Sequence, residues 1–182
     1  MTSKIEAALR PHETDLVNLD MFTSNLEPAE RMQANRWPHG CIVIIDTRAL
    51  ERECLARGLM ASNISITVLS FGSIEEWQQA HELHNRASAI LFAIGSRNSG
   101  DTQVQVDISK LVVDFKDIPI IAIGDLDGSD HIINILEYGA CSYIPTKVGL
   151  AGAIEAIRLA RAGGTFVPEL VHSNLRKEYG DA

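Results

Sequence analysis

The sequence predicts an α/β protein built on a doubly wound parallel sheet, and three observations carry that prediction. Residues 41–46, Cys-Ile-Val-Ile-Ile-Asp, are apolar at every position but the last, as in a strand that helices cover on both faces. Further apolar or β-branched runs follow at residues 64–70, 89–94, 119–124 and 141–145. Between these runs lie segments with helical spacing. A repeated βα order with right-handed crossovers forces such strands to lie parallel.

Taken in order, the first strand ends on Asp46. Open α/β sheets collect their ligand chemistry at the carboxyl ends of strands, although a lone Asp there also serves as a turn or cap residue. Residues 50–60 are spaced as a helix with Leu50, Cys54, Leu55 and Leu59 toward the core. The run 64–70, Ile-Ser-Ile-Thr-Val-Leu-Ser, alternates at its start and suits a sheet edge. Ser73-Ile-Glu-Glu76 is a capping box that opens a helix reaching to about residue 85. The third strand, 89–94, closes on the polar loop 95–100, and a helix over 102–115 offers Val106, Leu111, Val112 and Phe115 to the core. Pro119 is tolerated at the first position of the fourth strand. Ser129 or Asp130 caps a short helix that stops at Tyr138-Gly139, a glycine C-cap. The fifth strand, 141–145, leads to a helix over 150–162 with Ile154, Ile157 and Ala160 or Arg161 in register, stopped by Gly163-Gly164.

The chain of 182 residues allows one ordinary domain plus an appendage. Its 46% hydrophobic and 22% charged residues are those of a soluble globular protein. A net charge of −8, with no cluster of Lys and Arg, excludes a nucleic-acid-binding surface on this chain alone. Cys41, Cys54 and Cys141 show neither Cys-x-x-Cys spacing nor a disulfide framework, and each adjoins an apolar stretch, so reduced, buried thiols are expected. Residues 1–30 lack the apolar core of a signal peptide, and no run approaches membrane-spanning length. A cytoplasmic location and no membrane contact are therefore expected. Residues 1–40 are polar and carry Pro11, Pro28 and Pro38. They read as a flexible or partly helical extension, helical around 4–10 and 27–35, with the domain occupying 41–168 and a tail or linker 169–182.

Several constellations invite a chemical reading. Asp125, Asp127 and Asp130 share one loop, but the spacing is not that of an EF-hand. A turn and a helix N-cap account for them, while Asp46 and Asp125 together remain a candidate site for a weakly held cation. His81 and His84 stand three apart on a helix without a third ligand, as on a solvated face. Ser96, Ser99 and Gly100 form a loop that could meet an anion at the start of the next helix, without the Lys or glycine spacing of a nucleotide site. Trp37 and Trp77 read as packing or docking residues. No nucleophile–base set with recognisable context occurs, so an enzyme is not expected.

Three stretches resemble response-regulator receiver domains: Ile45-Asp-Thr-Arg-Ala-Leu-Glu-Arg-Glu53, Leu136-Glu-Tyr-Gly-Ala-Cys-Ser-Tyr-Ile-Pro145, and Ala153 through Pro168 with its double glycine. The last is similar to the closing helix of the LuxR-type (NarL/FixJ) subfamily. The resemblance covers about 41–168 and implies the flavodoxin-like (CheY-like) strand order 2-1-3-4-5. It also implies a phosphorylation pocket: two acidic residues after the first strand and an Asp ending the third hold Mg²⁺, and that Asp accepts the phosphoryl group. A hydroxyl after the fourth strand and a Lys after the fifth contact the phosphoryl oxygens.

Position by position, this pocket is degenerate. Asp46 stands at the first acidic position, but Thr47 follows it. The acceptor position falls on Ala93, the hydroxyl position on Gly124, and the Lys position on Thr146 with Lys147 one place late. One carboxylate does not replace three for a hard octahedral cation, so no cofactor, Mg²⁺ included, is expected. The reading is a pseudo-receiver, a phosphorylation-independent signalling module of a bacterial two-component or transcription-control protein. It is expected to act on a protein partner and as a homodimer. Tyr138, Tyr143, Ile157 and Arg161 are the candidates for its interaction face. The resemblance places a DNA-binding helix-turn-helix domain beyond such a receiver, and the 14 residues after Pro168 are too few to form one. The alternative is a flavodoxin-like domain that binds a small molecule in the strand-end crevice.

Overall fold

A computed structural model describes residues 40–62 and 67–168. Five parallel strands, β1 (Cys41–Ile45), β2 (Val68–Phe71), β3 (Ala87–Gly95), β4 (Ile120–Gly124) and β5 (Ser142–Pro145), form one sheet in the order β2-β1-β3-β4-β5. The helices are α1 (Ala49–Ala61), α2 (Ile74–Gln79), α3 (Thr102–Asp114), α4 (Ser129–Glu137) and α5 (Gly149–Arg161). The sheet is doubly wound, as the strand and helix pattern predicts, and has the CheY-like order that the resemblance to receiver domains implies.

The reason is visible in β1. Successive side chains of a strand point to opposite faces, and here both faces are apolar. Cys41, Val43 and Ile45 join a core with Ile74 and Trp77 of α2, Ile108 of α3 and Ile132 of α4. Ile42 and Ile44 join the opposite core with Leu59 of α1 and Ala156 and Ile157 of α5. Burying each such Ile is worth about 2 kcal/mol of transfer free energy. The register sets Ile45 beside Phe71 on one side and Phe92 on the other. Asp46 and Ala93, the next residues along, therefore emerge together at the carboxyl edge.

Four local expectations need correction. In α1 the buried residues are Ala56 and Leu59, whereas Leu50 is 73% exposed and Cys54 is exposed. Leu50 and Leu59 are nine residues apart, about two and a half helical turns, so they stand on opposite faces. In α3 the core stripe is Val104, Ile108 and Leu111, the i, i+4, i+7 set, which leaves Val106 on the solvent side. The helix opened by Ser73 stops at Gln79 and continues as a 3-10 turn, His81–Arg86. Trp77 is fully buried, and His84 folds back so that its ring lies 4.5 Å from the indole and its Nε2 2.8 Å from the Trp77 carbonyl oxygen. His81 and His84 thus belong to this turn rather than to one face of an α-helix. Finally, the α4 N-cap is Gly128, with Ser129 and Asp130 already in the first turn.

The described part of the edge strand begins at Val68; residues 63–66, and with them the expected start at residue 64, lie outside the described residues. So do residues 1–39, Trp37 among them, and residues 169–182. Among the described residues no helix is long and apolar enough to cross a membrane.

Candidate functional site

The carboxyl edge of the sheet brings together most of the positions singled out in the sequence, around a residue that the sequence reading passed over. Asp46 is almost fully buried. Its Oδ1 accepts hydrogen bonds from the Arg48 backbone N–H (2.9 Å) and from Arg48 Nε (3.1 Å), and its Oδ2 accepts from Arg48 Nη2 (3.1 Å). This is the bidentate fork that makes Arg–carboxylate pairs strong. Arg52, one helical turn on, donates from Nη1 to the Asp46 carbonyl oxygen. The hydrogen bond to Asp46 is the chief cause that raises the Arg48 pKa above its ordinary value.

The Arg48 guanidinium lies across Gly95, its Cζ 3.5 Å from where a Cβ at that residue would stand. Gly95 has φ +60°, a backbone conformation in which glycine carries no strain. The cation that Asp46 holds in this structure is therefore a guanidinium of the same chain, while Asp46 and Asp125, expected to share a weakly held cation, line one pocket. Ala93 contributes a methyl group and Thr47 an exposed hydroxyl. This donor set does not fit Mg²⁺, which needs several oxygens in octahedral array. Among the described residues no three His, Cys, Asp or Glu side chains are grouped to hold a metal ion.

A second guanidinium closes the other side. Arg97 donates from Nε to the Ile94 carbonyl oxygen (3.1 Å), pairs through Nη1 with Asp107 (3.2 Å), and lies over the Phe92 ring. The positions expected to contact a phosphoryl group turn elsewhere. Thr146 Oγ1 donates to Asp125 Oδ1 (3.1 Å), and Lys147 pairs with Asp127. The acidic loop is thereby tied to the chain after β5, and the Lys147 hydrogen bond holds the Asp127 carboxyl below its ordinary pKa.

At the fourth-strand position, Gly124 leaves room that the Tyr143 hydroxyl takes up: a Cβ there would overlap Tyr143 Oη and stand 3.0 Å from Ile94 Cγ1. Tyr143 is fully buried and donates to the Leu126 carbonyl oxygen (2.6 Å). Burial, with Asp125 and Asp127 adding to it, pushes its pKa up, so the phenol stays protonated. His131 Nε2 lies 3.2 Å from Tyr143 Oη, and His131 Nδ1 accepts the Ser99 backbone N–H at 2.9 Å. The Tyr143 proton is committed to Leu126, so His131 is the neutral tautomer that carries its proton on Nε2. Ser99 is pinned twice more from α4 and its C-terminus, by Asn134 Nδ2 on its Oγ (3.3 Å) and by Tyr138 Oη on its carbonyl oxygen (2.8 Å). The loop read as an anion site has its Ser99 donor committed, and Asp101, whose carboxylate caps α3, adds negative charge beside it.

Of the four interaction-face candidates, Tyr143 and Ile157 are core residues and offer nothing to a partner. That correction follows from their inward direction on β5 and α5. Tyr138 and Arg161 are half-buried and reach the surface.

The neutral His131 has a measurable consequence. Burial lowers its pKa in the folded state, so below about pH 6.5 the unfolded chain binds the extra proton first. Stability is complete above that pH and falls as pH drops toward the lower folded-state pKa. His131→Gln, which keeps a donor and an acceptor but does not titrate, is expected to flatten the wild-type slope between about pH 6.5 and 5.5 in urea unfolding.

No family model matches the chain. Among curated proteins it is similar to the transcriptional regulatory protein DegU of Brevibacillus brevis, with 27% identity over 140 residues, or 76% of this chain and 57% of that one. The chain thus spans a little over half the length of this relative. Among solved structures it is similar to a LuxR-family two-component response regulator from Aurantimonas sp. SI85-9A1 (TM-score 0.63, 16% identity, 79% of this chain and 99% of that one). It is also similar to a LuxR-family DNA-binding response regulator from Silicibacter pomeroyi (TM-score 0.60, 19% identity, 71% and 97%). A third likeness is the isolated REC domain of RcsB from Salmonella enterica serovar Typhimurium (TM-score 0.60, 14% identity, 74% and 97%). With its strand order, its helix placement and these likenesses, the described domain has the receiver fold, and the chain is similar to LuxR-type response regulators.

Proposed function

We propose that residues 41–168 act as a phosphorylation-independent receiver-like module, the regulatory part of a bacterial two-component or transcription-control protein. It works by protein contact, including self-association into a homodimer, and performs no catalysis of its own. Contact with DNA falls to a helix-turn-helix domain of a longer regulator. The observation that supports this reading is the Asp46–Arg48 fork, which occupies the carboxylate with a built-in cation while Ala93 stands where a phosphoacceptor carboxylate would be needed. Without an acceptor, something other than aspartyl phosphate must bias the fold between states.

Incubation with acetyl phosphate and Mg²⁺, followed by intact-mass measurement, tests the reading. The expected mass is unchanged at neutral pH. Addition of one phosphoryl group, mapped by peptide analysis to a residue of the described domain, would overturn it.

A further inference from the structure

From the Asp46–Arg48 pair a groove of about 450 Å³ runs down between α1 and α5, within the size range of small-molecule sites. Leu55, Ile123, Ile144, Leu150 and Ala153 line its body. Gly58 lines it as well, and a Cβ there would stand 3.0 Å from Leu150 Cδ2, so the missing side chain keeps this wall open.

The mouth has a different character. Arg48 stands there with Asp46, Glu51 and Asp125, one guanidinium against three carboxylates. The guanidinium is spent on Asp46, so Glu51 and Asp125 leave the rim negative. An anion is repelled at such a rim and a cation is drawn to it. A bare metal ion gains nothing from the apolar body of the groove and finds too few grouped ligands among the described residues.

We infer that this groove binds a small organic cation, its apolar body seated on Leu55, Ile144 and Leu150 and its ammonium head between Glu51 and Asp125. Burial of the apolar body supplies the affinity, and the acidic rim selects the sign of the head. The site does not depend on the phosphorylation reading and holds whether or not the chain accepts a phosphoryl group.

Cys54 makes the test direct. It lines the groove and is exposed, whereas Cys41 is fully buried and the Cys141 thiol is held up in pKa by burial. The rate at which an uncharged aromatic disulfide modifies Cys54 in the whole chain is measured with hexylammonium, hexanol, hexanoate or Mg²⁺ present, at constant ionic strength. Cys54→Ser supplies the background. Hexylammonium is expected to protect at about a tenth of the concentration that hexanoate requires, with hexanol between them. Replacing the two exposed rim acids (Glu51→Gln with Asp125→Asn) is expected to remove most of that difference. Equal protection by hexanoate, protection by Mg²⁺ alone, or no protection by any of the four would overturn the proposal. A selectivity unchanged in the double variant would also overturn it.

Discussion

Gly124→Ala is expected to destabilise the domain by about 3 kcal/mol, the upper range for adding a methyl group to a packed core. Gly124 is buried at the end of β4. The added Cβ would overlap Tyr143 Oη and press on Ile94 Cγ1 at 3.0 Å and on the Gly95 carbonyl oxygen at 3.2 Å. Tyr143 cannot yield cheaply, because its hydroxyl joins Leu126 to His131 and, through His131, to Ser99. Moving the ring breaks that chain and strands buried polar groups, each at about 1–3 kcal/mol. Urea unfolding of Gly124→Ala, Tyr143→Phe and the pair provides the check. Tyr143→Phe removes the oxygen that the methyl group strikes, so the double variant should be more stable than the sum of the single losses by about 1 kcal/mol or more. Strict additivity would mean that the clash is relieved elsewhere.

Arg48→Ala is expected to cost about 2–3 kcal/mol, although Arg48 itself is partly exposed. The loss lies less in the pair than in what remains: a buried Asp46 carboxylate with its main partner gone. Removing one partner of a fully buried pair costs about 3–5 kcal/mol, and the solvent access of the guanidinium, 36% exposed, reduces that figure. The sign of a second comparison is diagnostic. Arg48→Ala combined with Asp46→Ala should be more stable than Arg48→Ala alone, because no uncompensated charge stays behind. If the double variant is the weaker of the two, the fork is not what holds this corner of the fold.

The fold was legible because β1 has apolar side chains on both faces, a pattern that a one-sided strand does not show. What was harder to read depended on helix phase. Leu50 and Cys54 are apolar and lie at plausible spacing, yet α1 rotates Ala56 and Leu59 inward, and small residues such as Ala56 carry little signal in a hydrophobic pattern. In α3 the error was one of phase alone, since Val104 and Ile108 are large apolar residues four apart on the buried face and Val106 is on the other side.

At the site, the departures from the receiver pattern were legible position by position, because Thr47 and Ala93 carry no carboxylate and Gly124 carries no hydroxyl. The substitute cation was not. Arg48 follows Asp46 by two residues, and a strand-end Asp-x-Arg was the available clue, but only the turn into α1 shows that the guanidinium folds back. Likewise the role of Gly124 as space for Tyr143, and the chain from Tyr143 through His131 to Ser99, join residues far apart in sequence that no periodicity relates. Tyr143 and Ile157 were assigned to a surface because of where their elements lie, whereas side-chain direction on those elements points them into the core.

On the reading proposed above, the chain's own guanidinium, and not a divalent cation with a phosphoryl group, occupies the crevice at the strand ends. Amide chemical shifts of the labelled domain, recorded with and without Mg²⁺ and beryllofluoride, test it most directly. No more than small, non-saturating shifts are expected at Asp46, Arg48, Ala93 and Gly124. Saturable shifts at those residues that spread to Ser99, His131 and Tyr143 would contradict it and restore a phosphate-type switch.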